Sequence, residues 1–167
     1  MKPYKKVVST LAIILALFLV FALWYKNEYS METVEAYEIN SSNLEKTLLI
    51  ATQGSEFKNA VTQGLVNHYG SGDVYIKVID VATLNNVNPS DYDAILVIHT
   101  WEYEKPPTVV AAFIERTASD RDKIVVMTTS GQGTSKMEGV DAITGESVLD
   151  DAPRIADEII IRLAPIL

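Results

Sequence analysis

Two hydrophobic regimes divide the chain. Residues 7–25 form an apolar run without a charge, whereas from residue 46 onward short apolar runs alternate with stretches of helical periodicity. The second regime predicts strands over residues 46–52, 74–81, 94–99 and 123–128, with a short one over 140–143. Helices are predicted over residues 55–69, 107–119 and 151–164. The first helix sets Phe57, Val61, Leu65 and His68 along one stripe and is stopped by Gly70 and Gly72. The last points Ile155, Ile159, Ile160 and Leu163 inward. Residues 85–91 hold Asn88-Pro89 and predict a turn with at most one helical turn. Continuous apolar strands alternating with helices indicate a parallel sheet covered on both faces. With right-handed crossovers, the expected architecture is α/β: a doubly wound, parallel, five-stranded sheet of order 2-1-3-4-5. Its ligand crevice would open between strands 1 and 3, bordered by loops starting at Thr52, His99 and Thr128.

At about 1.5 Å per residue the run over residues 7–25 reaches roughly 28 Å, close to the thickness of a bilayer's hydrocarbon core. Lys2, Lys5 and Lys6 precede it and Lys26 follows. That bias predicts one transmembrane helix in the cytoplasmic (inner) membrane, single-pass, with the amino terminus inside and the domain extracytoplasmic. Trp24 and Tyr25 stand where an interfacial aromatic anchor would lie. A cleaved signal peptide is the competing reading. Ala22-Leu23-Trp24 does not offer the small residues that cleavage requires, so an uncleaved signal anchor is expected. The expected organisation is a basic cytoplasmic end (1–6), an anchor (7–25), a tether (26–45) and a folded domain (46–167).

Apolar residues make up 48% of the chain and charged residues 22%, a balance that supports a packed core rather than disorder. The absence of cysteine excludes thiol catalysis, disulfides and cysteine-ligated metals. Residues 1–30 carry four lysines against one glutamate, so the remainder is three units more negative than the chain's −8, that is −11. A field of that sign repels nucleic acid and favours basic partners, unless it serves only solubility.

The stretch Thr100-Trp101-Glu102-Tyr103, entered through Asp91-Tyr92-Asp93-Ala94, resembles the aromatic loop and lead-in of flavodoxin-like domains. The likeness covers roughly residues 46–165. Thr129-Ser130-Gly131-Gln132-Gly133 is similar in type to that family's third ligand loop. Thr52-Gln53-Gly54-Ser55-Glu56-Phe57-Lys58 occupies the place of its phosphate loop, with compressed spacing, fewer hydroxyls and an acidic Glu56 that Lys58 would offset. The resemblance implies non-covalent FMN. Thr52, Gln53, Gly54 and Ser55 would hold its phosphate at the helix amino terminus. His99, Thr100, Trp101 and Tyr103 would flank the ring, and Thr129, Ser130, Gly131 and Gly133 would close on it. Alternatively, Ser55 only caps its helix, and the two aromatics cover the sheet edge or meet a partner.

Other chemistry is less well supplied. His99 with Glu102 and Glu104 lacks a further histidine ligand, because His68 belongs to a helical stripe; no metal is expected. Ser130 lacks the Gly-x-Ser-x-Gly context of a hydrolase nucleophile. The segment from Asp141 to Ser147 is loosely similar to a covalent-flavin site, but Leu149 stands where the acceptor hydroxyl belongs. The leading expectation is a membrane-tethered electron carrier that binds FMN and meets a basic redox protein. A flavin-less interaction or sensory module is the alternative, and a quinone-type oxidoreductase comes third.

Overall fold

A computed structural model describes residues 3–29, 31–102 and 104–167. The chain divides into two compact units, Met1–Met31 and Glu32–Leu167. Within the first lies one helix, α1 (Pro3–Tyr29), whose stretch Tyr4–Trp24 has a mean hydropathy of 2.7 and no buried part. Its length, about 30 Å at the usual helical rise, and its composition suffice to cross a membrane.

Among the described residues of the second unit, six strands form one mostly parallel sheet. They are β1 (Tyr37–Ile39), β2 (Lys46–Thr52), β3 (Val74–Asp80), β4 (Ala94–Thr100), β5 (Ile124–Thr129) and β6 (Asp141–Gly145). The sheet order is β1-β3-β2-β4-β5-β6, with β1 antiparallel to β3 and the other pairs parallel. Three helices cover it: α2 (Glu56–Tyr69), α3 (Thr108–Arg116) and α4 (Ala152–Leu163).

Alternation along each strand divides the core in two. Leu48, Ile50, Leu96, Ile98, Val125 and Met127 face α2 and α4, where Phe57, Val61, Leu65, Ile155, Ile159 and Leu163 meet them. Leu49, Ala51, Ile95, Val97 and Val126 face α3, with Phe113 and Val110 beneath the sheet and Leu84 beside them. Leu84 comes from a 3-10 segment, Val81–Asn86, that replaces a full crossover helix between β3 and β4. Cations fasten that irregular connection. Arg116 donates through Nη2 to the carbonyls of Leu84 and Val87, and Lys123 Nζ donates to those of Pro89 and Tyr92. Asp93 Oδ2 accepts from both the amide and the hydroxyl of Thr47, each at 2.8 Å, pinning the start of β4 beside β2.

Three expectations change. The sheet has six strands rather than five, because Tyr37–Ile39 adds an antiparallel edge through backbone pairing and a Glu38–Lys77 ion pair at 3.2 Å. Residues 32–45 therefore join the domain instead of serving as tether: Glu32 pairs with Gly54, and the amide of Val34 donates to Asp80 Oδ2 at 2.8 Å. On α2 the stripe ends at buried Tyr69, leaving His68 exposed against the edge of that ring.

Candidate functional site

The strand registers align Asp80, Thr52, His99, Thr100, Thr128 and Thr129 along the carboxyl edge of β3, β2, β4 and β5. Most of these polar residues are buried: Thr52, His99, Thr128 and Thr129 are at most 1% exposed. Burial of that many polar groups is tolerable only if they bond one another. They do so across strands. Thr100 Oγ1 and Thr129 Oγ1 are 3.0 Å apart, and Thr128 Oγ1 lies 3.1 Å from His99 Nε2. His99 Nδ1 is 3.2 Å from the Thr100 carbonyl, which can only accept; the proton therefore sits on Nδ1, and Nε2 accepts from Thr128. Desolvation lowers the His99 pKa to about 4, aided by the charge of Lys58 and opposed by the Thr100 carbonyl, so the ring is neutral.

At the end of β2, Gln53 donates its amide to the Ile98 carbonyl at 3.3 Å, and its Oε1 accepts the Thr100 amide at 2.7 Å. The Thr52 hydroxyl turns to the Gln53 carbonyl. Gly54 donates its amide to the Glu32 carbonyl at 2.8 Å and accepts from the Glu32 amide at 3.2 Å. The two backbones are so close that a Cβ on Gly54 would lie 2.7 Å from both Cβ and O of Glu32. Ser55 is the N-cap of α2, with extended backbone (φ −167°, ψ 158°), and its Oγ accepts the Lys58 amide at 3.3 Å.

Lys58 is the residue that sequence reading undervalued. It is wholly buried in the first turn of α2, and its Nζ donates to Ser55 Oγ at 3.4 Å. Desolvation lowers its pKa to about 8 against the opposing attraction of Glu102. The signal was present: Lys58 lies three and four residues before Val61 and Thr62, on the stripe that continues through Leu65 and Tyr69. A lysine on the inward face of an amphipathic helix is the exception to notice.

The other two loops fold back on the protein. The Trp101 amide donates to the Thr129 carbonyl at 2.7 Å, and its half-buried indole packs on the core cluster beneath α3, with its ring centroid 6.4 Å from that of His99. Glu102 and Lys105 exchange backbone hydrogen bonds, and Glu104 between them adopts φ 62°, a left-handed conformation disfavoured for a glutamate. Tyr103 lies outside the described residues. Ser130 donates its amide to the Gly145 carbonyl, and its hydroxyl accepts the Ser135 amide. Gly133, at φ 62°, is bound through its amide to Ser130 and through its carbonyl to the Thr144 hydroxyl. Gly131 is exposed. Thus Thr52, Gln53, Gly54, Ser55, His99, Thr100 and Thr129 share one corner, while Ser130, Gly131 and Gly133 belong to a loop fastened to β6.

Comparison with protein-family models found no match to this chain, and comparison with curated proteins found none either.

Proposed function

We propose that residues 32–167 form a flavodoxin-like scaffold that works at a membrane surface without flavin, as an interaction or sensory module. Support for the scaffold comes from strand order. Apart from the antiparallel edge strand β1, the parallel strands run β3-β2-β4-β5-β6, which is 2-1-3-4-5 when numbered along the chain. Helix α1 would hold the module at the membrane, with the amino terminus cytoplasmic and the domain outside.

One observation carries the flavin-less half: the amide of Gly54 is spent on the carbonyl of Glu32. A phosphate bound in the resembling loop needs that N–H, and a carbonyl oxygen already fills its direction. The neighbouring donor, the Thr100 amide, is likewise taken by Gln53. The electron-carrier reading, with FMN and a basic redox partner, draws its support from Lys58, a buried cation beside Ser55 at the start of α2.

Full-length protein purified in detergent separates the two. The flavin-less module should give a colourless preparation and leave FMN fluorescence unquenched at micromolar protein. A yellow preparation, or micromolar FMN binding that Trp101→Ala weakens, would overturn it in favour of the carrier.

A further inference from the structure

Lys58 is an expensive choice for its position. The first turn of a helix carries the positive end of the macrodipole, which disfavours a cation, and complete burial disfavours it again. Glu56, two residues earlier and exposed, is the ordinary residue for that end. One contact the lysine makes there is with a hydroxyl. Its Nζ lies 3.4 Å from Ser55 Oγ, and Ser55 is half-buried where Lys58 is wholly buried. We infer that Ser55 and Lys58 are a nucleophile–base pair for acyl transfer from carboxylic esters, a reaction the flavodoxin-like scaffold alone does not supply.

The spacing Ser-x-x-Lys at the start of a helix recurs in unrelated acyl-serine enzymes, because i and i+3 stand on one helix face and bring amine and hydroxyl together. With a pKa of about 8, roughly a tenth of Lys58 is the free amine at pH 7, and neutral His99 adds no competing charge. In the first step Ser55 Oγ bonds to the ester carbonyl carbon as its proton passes to Lys58 Nζ. The carbon–oxygen bond to the alcohol then breaks, and the departing oxygen takes that proton back from Lys58. Water, deprotonated by Lys58, attacks the acyl-Ser55 carbonyl. The bond from that carbon to Ser55 Oγ breaks, the carboxylic acid leaves, and Ser55 Oγ takes the proton back from Lys58. Ester and water become acid and alcohol, and no other reactant is consumed. The Ser55 side chain caps the amide of Lys58, so the earlier first-turn amides of Glu56 and Phe57 are the helix groups placed to meet the oxyanion.

The inference rests on the reading that no flavin phosphate occupies this corner. Its test uses full-length protein in detergent, a fluorophosphonate probe and p-nitrophenyl acetate. The expected result is one covalent adduct located on Ser55 by peptide mass spectrometry, with a labelling rate that rises with pH through an inflection near 8. Ser55→Ala should abolish the adduct. Lys58→Met should slow labelling at least about 100-fold while the protein still unfolds cooperatively, and Lys58→Arg, always protonated, should not restore it. No adduct, or one indifferent to Ser55→Ala or Lys58→Met in folded protein, overturns the dyad. Wild-type FMN binding at micromolar concentration sinks this inference together with the flavin-less reading, whereas a missing adduct in protein that ignores FMN sinks the dyad alone.

Discussion

Leu48, Ile50, Leu96 and Val125 at mid-sheet are entirely hidden from solvent, and so, a few residues further along the same strands, are His99, Thr128 and Thr129. Equal burial conceals opposite energetics. Each aliphatic side chain at mid-sheet contributes roughly 1.5–3 kcal/mol through removal from water. At the carboxyl edge each buried polar group first loses its hydration, and the bonds among Thr100, Thr129, His99 and Thr128 return little more than that loss. Lys58 stands further on the unfavourable side, since burial pulls it from 10.5 to about 8. The middle of the sheet supplies the stability that offsets the buried polar edge.

The sharpest way to break this comparison is at its stable end. Leu96 lies on β4, between β2 and β5, and packs with Leu48, Ile50 and Val125. Leu96→Ala should lower unfolding stability by about 3–4 kcal/mol in a urea titration of the full-length protein. A loss under about 1 kcal/mol would mean that mid-sheet is not where the fold's stability resides.

At the other end the sign reverses. Lys58→Met keeps most of the side-chain volume and removes a buried cation, so stability at pH 7 should rise by about 3 kcal/mol, the size of the pKa displacement. The pH dependence checks the cause. Because the folded pKa lies below the unfolded one, the unfolded chain holds the extra proton between about pH 8 and 10.5. Wild-type stability should therefore gain a rising component across that window and none from Lys58 below it; the variant should lack the rise. Urea titrations at neutral pH and near pH 10 decide this. If the variant is less stable at neutral pH, then Lys58 is held by favourable bonds, and the cost argued for the edge is misplaced.

The same division explains what could be read from the chain. Mid-sheet runs such as Ala94–Thr100 are apolar on both faces, and the periods of α2 and α4 are strong, so the strands and these two helices match expectation within a residue or two. Helix α3 instead ends at Arg116, three residues before the expected 119. The corner residues Thr52, Ser55, His99 and Thr129 were legible because they end those strands or cap that helix. What escaped lacks periodicity. The three residues of β1 are too few to alternate visibly, and their strand character comes from pairing with β3. Glu32 bonds Gly54 through backbone atoms alone, and a backbone contact leaves no signature in side-chain pattern. Trp101 is a ring-stacking residue in the flavin reading and a cover for the sheet edge in the alternative; its half-buried indole packs against the core cluster under α3. Aromatic composition does not reveal which side of a strand end the chain will turn toward.

The smallest expected effect tests the link between the edge and the segment that precedes the sheet. Gly54 does not occupy the left-handed region, so alanine fits its backbone conformation; only the new Cβ matters. That atom would lie 2.7 Å from both Cβ and O of Glu32, contacts too short to survive, and the Glu32 segment must withdraw. Gly54→Ala should break both Glu32–Gly54 hydrogen bonds and reduce stability by about 1–2 kcal/mol. Amide exchange should accelerate at Glu32, and at Val34 if Asp80 loses its hold there, while the amides of β2 and β4 keep their protection. A withdrawal confined to residues 32–34 would show that the strap is an addition to an already folded edge. Faster exchange spreading into Gln53 and Thr100 would show the reverse: the strap helps hold the polar corner in place, and the buried network depends on backbone bonds as much as on its own side chains.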